Sequence, residues 1–101
     1  MSIRKAIIIN VKDNVANALV DIKKGDVVRL DIGKMHFRLL IKSNIPFGHK
    51  FATKKISKDE KIIKYGEVIG KATNDIDAGE YVHIHNVIGL RARGDLEKTK
   101  T

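Results

Sequence analysis

A chain of 101 residues with 43% hydrophobic residues, 32% charged residues and one proline has the composition of a single folded domain, too short to enclose a large active-site cavity alone. Cysteine is absent, which excludes a disulfide framework, thiolate metal sites and cysteine nucleophiles, and agrees with a cytoplasmic setting. Twenty Lys and Arg against twelve Asp and Glu give a net charge of +8, which favours anionic partners, but the lysines are dispersed and name no particular one.

In chain order, residues 4–9 read as a first strand. Its apolar run, Ala6 to Ile9, is far shorter than the roughly 20 residues that span a bilayer, so no membrane association is expected. Asn14 to Val20, with Asp13 as a cap, is the one good helical candidate and is barely two turns long. Residues 27–32 and 36–41 alternate polar and apolar around Gly33-Lys34, which predicts a hairpin. The segment 21–28, Asp-Ile-Lys-Lys-Gly-Asp-Val-Val, recurs at 75–82 and more loosely at 55–62. Each copy reads as a tight turn feeding a strand, with Gly25 and Gly79 free to adopt positive φ and Asp59 a tolerated substitute. The chain thus reads as one domain over residues 1–92 and a polar C-terminal tail over 93–101.

Three stretches could carry chemistry. If Tyr81 to Asn86 is extended, His83 and His85 share one face about 7 Å apart, and Ile84 points to the opposite, buried face. Two imidazoles so placed can act on one substrate or share a metal, although a metal would need further ligands from elsewhere. Ile45-Pro46-Phe47-Gly48-His49-Lys50 presents a titratable ring beside a permanent charge. Ile63 to Gly70 contains Lys64-Tyr65 before a turn and fits no phosphate-binding fingerprint.

Taken together and in order, residues 45–52, 62–72, 75–82 and 83–86 closely resemble the N-terminal SAF domain of the altronate and galactarate dehydratase family, and Asp13-Asn14-Val15-Ala16 resembles its opening segment. The resemblance implies a mainly β chain, a SAF-type β-clip fold with one short helix. It also implies a part in removing water from a sugar acid or, in a sister branch, sulfite from sulfolactate. In many members of that family this domain is fused to a larger catalytic domain or encoded apart from it. Because the sequence ends soon after the motifs, the expectation is the small subunit of a two-subunit hydro-lyase, inactive without its large subunit. A divalent metal, iron or manganese, is expected to be held mainly by that large subunit. The resemblance assigns His49, His83 and His85 to acid/base work or metal contact, Lys50 and Lys64 to the substrate carboxylate, and Asn14 and Asn86 to substrate hydroxyls. A non-catalytic carbohydrate- or RNA-binding module is the competing reading. Against nucleic acid stands the aromatic content: three Phe and two Tyr, with no adjacent pair on a strand to stack bases.

Overall fold

The computed structural model describes residues 5–89, so the tail expected at 93–101 lies outside the described residues. Among the described residues nine short strands form three antiparallel sheets. The central sheet orders β1 (Ala6–Ile7), β2 (Val15–Ala18), β5 (Lys50–Ala52) and β8 (Tyr81–Val82) side by side. A hairpin of β3 (Val27–Ile32) and β4 (Met35–Leu40) forms the second sheet, and β6 (Lys61–Lys64), β7 (Glu67–Ala72) and β9 (Val87–Gly89) form the third. The mainly β expectation holds, and the predicted hairpin is present with Val27 opposite Leu40 and Ile32 opposite Met35.

Because side chains alternate along a strand, the central sheet divides two cores. Ala16, Ala18 and Phe51 enter one, with Ile22, Val28, Leu30, Ile41 and Ile45. Val15, Ala52 and Val82 enter the other, with Ile56, Ile62, Ala72 and Ile76. Register confirms the division: Ala16 lies opposite Phe51, and Val15 opposite Ala52. Lys50 lies between Asn17 and Val82, on the face that looks toward the second core.

The expected helix at 14–20 is replaced by β2, because tertiary partners outweigh local propensity there. The Asn14 amide donates to the Lys61 carbonyl (2.8 Å) and accepts from the Ile63 N–H (2.8 Å), which ties the segment to β6. Asp13 does not cap a helix either. Its carboxylate accepts from the backbone of Asn10 and Gly66, closing a loop and a hairpin end at once.

The recurrent turns are real, and there are four rather than three. Each begins at a fully buried isoleucine, Ile22, Ile45, Ile56 or Ile76, and reaches positive φ at Gly25 (96°), Gly48 (82°), Asp59 (75°) or Gly79 (88°). They associate in pairs through single bridges, Ile22 with Ile45 and Ile56 with Ile76. In three of them the acid that ends the turn bends back to accept from the N–H three residues earlier: Asp26 from Lys23, Glu60 from Ser57, Glu80 from Asp77, at 2.6–3.0 Å. The fourth, Pro46 to His49, keeps the backbone bond from His49 N–H to the Pro46 carbonyl (3.0 Å) but lacks the side-chain bond, since proline has no N–H to offer.

Candidate active site

That missing bond decides what His49 does. In the other three turns the residue at this position is an acid held by the N–H three residues earlier; here proline offers no such donor, the imidazole reaches out, and its Nδ1 lies 2.7 Å from the Tyr81 hydroxyl. With Nδ1 engaged, Nε2 is the nitrogen left for other partners. Tyr81 is the hub of the cluster. The His83 ring stacks on it (centroids 5.3 Å apart, planes within 7°), and His49 meets His83 edge-on at 5.0 Å. His85 lies 5.5 Å from the Tyr81 ring, tilted by 42°.

The three predicted histidines therefore converge, but not by the predicted route. Residues 83–86 form a turn, not an extended segment: Asn86 N–H donates to the His83 carbonyl (3.0 Å), while the Asn86 side chain accepts from His83 N–H (2.9 Å) and donates to the Tyr81 carbonyl (2.7 Å). An asparagine able to satisfy local backbone groups competes with strand formation, and here it wins. The same turn throws Ile84 outward, 84% exposed, instead of burying it. Ile84→Ala is accordingly expected to alter stability by less than about 0.5 kcal/mol, read from urea unfolding of the two chains.

Alternation along β5 sends Lys50 to the opposite face of the sheet from His49 and Phe51. It is half-buried, and its ammonium is held below the usual lysine range first by lost solvation and then by the charge of Lys64. His83 titrates below the ordinary imidazole value, first through lost solvation and then through the charges of His49, Lys50 and His85. The charge of Lys50 thus acts on His83 from the lysine face of the sheet. Asn14 and Asn86 are nearly buried, and the amide of each bonds backbone at both its oxygen and its nitrogen.

The cluster can donate, accept and hold protons, and it can attract an anion. It does not amount to a metal site: among the described residues no three His, Asp or Glu side chains are grouped to hold an ion. Sequence reasoning passed over Tyr81, although an aromatic ring stands there where the other turns deliver Val27, Lys50 and Lys61. Nor is any described helix long and apolar enough to cross a membrane.

Residues 4–89 match the family described as the altronate/galactarate dehydratase SAF domain. The chain is 40% identical over 81 residues to altronate dehydratase of Bacillus subtilis (strain 168), covering 77% of this chain and 15% of that protein. To altronate dehydratase of Escherichia coli (strain K12) it is 42% identical over 78 residues, with the same shares of 77% and 15%. It thus spans only a small part of these relatives' length. A shorter relative, (2R)-sulfolactate sulfo-lyase subunit alpha of Paracoccus pantotrophus, is 48% identical over 50 residues, which is 50% of this chain and 75% of that one.

Proposed function

Since the chain belongs to the altronate/galactarate dehydratase SAF-domain family, we propose that it acts as the small subunit of a sugar-acid hydro-lyase, lending its histidine cluster to an active site completed by a large subunit. The observation that carries this reading is the meeting of His49, His83 and His85 around Tyr81, with the charge of Lys50 close enough to act on His83.

Dehydration of a 2,3-dihydroxy acid removes the proton beside the carboxylate, expels the 3-hydroxyl as water and leaves an enol that becomes a 2-keto acid. The first step needs a base and positive charge near the developing enediolate. Lys50 and Lys64 supply the charge at the carboxylate. His83, kept neutral by its surroundings, takes the proton. His49 protonates the departing hydroxyl from Nε2, its ring oriented by the Tyr81 hydroxyl on Nδ1. His85 borders the same space from the exposed turn. Asn14 and Asn86 meet substrate hydroxyls only with amide capacity left over from their backbone bonds; their larger service is to hold β2 to β6 and to shape the 83–86 turn. A divalent metal, iron or manganese, would take its ligands mainly from the large subunit and would supply further charge stabilisation there.

The test is reconstitution with a large dehydratase subunit from the same organism. Altronate or galactarate turnover is expected only when both chains are present, and the two are expected to co-elute on size exclusion. Turnover by the large chain alone, at the same rate as the mixture, would remove this chain from the reaction. A second reading is favoured by the 48% identity to a sulfo-lyase subunit alpha that the match covers to 75% of its length. (2R)-Sulfolactate carries a leaving group one carbon from an α-hydroxy acid, so the same residues serve; sulfite release in the same assay would move the assignment to that substrate.

A further inference from the structure

On the lysine face of the central sheet a second constellation assembles, made of residues from β2, β5 and the β6–β7 hairpin. Tyr65 and Gly66 form the two-residue loop between Lys64 and Glu67, with φ of 54° and 76°. Two consecutive positive φ values define a turn that favours Asn-Gly, and a bulky ring at its first position is out of place on local grounds. Nor is the ring tucked into a core, for Tyr65 is 54% exposed. Its hydroxyl accepts from Asn17 Nδ2 at 3.2 Å, and Lys64 Nζ lies 5.0 Å from its ring centroid. Asn17 sits directly opposite Lys50 across the β2–β5 ladder.

Two further features point to a ligand. Among the described residues no carboxylate lies within ion-pair distance of Lys50 or Lys64, and the charge of Lys64 acts on Lys50. Such repulsion opposes folding and is relieved by an anion placed between them. Beside them, the Tyr65 hydroxyl keeps its own proton to donate, because Asn17 occupies only its oxygen. The Asn17 side-chain oxygen, Oδ1, has no hydrogen-bond partner among the described residues and is open as an acceptor. A donor and an acceptor next to two cationic side chains suit a carboxylate bearing a hydroxyl on the adjacent carbon.

We propose that Asn17 and Tyr65 form, with Lys50 and Lys64, a subsite for the α-hydroxy-carboxylate end of the ligand, and that the positive-φ loop holds the Tyr65 hydroxyl at that end. This rests on the reading of the two lysines as carboxylate partners and adds to it the residues that recognise the hydroxyl. A purely structural account would have the Asn17–Tyr65 bond pin the hairpin to β2 and nothing more.

The experiment is an NMR titration of the labelled 101-residue chain with lactate and with propionate, which differ only in the 2-hydroxyl. Lactate is expected to bind roughly five-fold more tightly, as one net hydrogen bond allows, and to shift the Asn17 side-chain amide. In Tyr65→Phe that preference should vanish while propionate binding stays as it was. Tyr65→Asn, a residue type suited to positive φ, should hold or raise the melting temperature and lose the preference too. Equal binding of the two acids by the wild-type chain, or a preference that survives Tyr65→Phe, overturns the hydroxyl subsite and leaves the lysine reading standing. A fall of several degrees in Tyr65→Asn would show that the ring serves the fold and would overturn it as well. Binding of neither acid overturns both the subsite and the carboxylate role of Lys50 and Lys64.

Discussion

Replacing His83 by Ala in the reconstituted enzyme is expected to lower kcat by about 10²- to 10⁴-fold, the usual consequence of removing a general acid or base, with little change in folding. Its ring stacks on Tyr81 and touches His49 at the edge, while the turn around it is held by Asn86 through backbone bonds that an alanine retains. The pH profile separates a proton-transfer role from a packing role. A base must be neutral to act, and the surroundings of His83 hold its pKa below the ordinary imidazole value of 6.5. The neutral form therefore persists into more acid solution, and the acid limb of kcat/KM should fall below that value. Lys50→Met removes one of the charges that depress it, so the limb should move toward higher pH, only in part because lost solvation is the larger cause. Activity of His83→Ala within a few-fold of wild type, or a limb indifferent to Lys50, would end the assignment.

The largest expected loss of stability from a single methyl group is at Gly79. Its φ of 88° disfavours any side chain, and a Cβ there would run into the Leu40 carbonyl oxygen, where the turn crosses the end of the hairpin. The Gly79 carbonyl in turn accepts from Lys42 N–H at 2.9 Å, so the backbone has no freedom to withdraw. Gly79→Ala is expected to cost about 3 kcal/mol or more, the sum of a strained φ and a forced displacement. Gly25 supplies the control. Its φ is 96°, yet nothing lies within 4 Å of a Cβ built on it, so Gly25→Ala should cost only about 1 to 2 kcal/mol. Urea unfolding of both variants measures the difference; equal losses would mean that the approach to Leu40 carries no weight.

The features legible in the sequence were those written in local patterns. Alternation around Gly33-Lys34 gave the β3–β4 hairpin, and glycine before an acid, with Asp59 standing in for the glycine once, gave three of the turns and their positive φ. The fourth turn escaped because Pro46-Phe47-Gly48-His49 lacks the closing acid, which is the same substitution that frees the histidine. The helix expected at 14–20 does not form because local propensity is helical while the segment's partners, Lys61 and Ile63, lie more than forty residues away. The convergence of His49 with His83 and His85 was anticipated only through family resemblance. Its physical agent, the Tyr81 ring that all three meet, depends on a β5–β8 pairing that no local pattern announces. The histidine pair itself was placed for the wrong reason, since a strand would have buried Ile84 and the turn exposes it.

The four turns are a matter of spare parts. Three close themselves with a carboxylate on their own N–H, and the fourth stays closed through its backbone bond alone, with proline at the vacated donor. One side chain in this frame is thereby released from structural duty without leaving a backbone donor unmet. A paired proline-for-donor and function-for-acid exchange is thus a two-residue recipe, and the remaining turns at 23–26, 57–60 and 77–80 are addresses where a designer could install a new reactive group on the same scaffold.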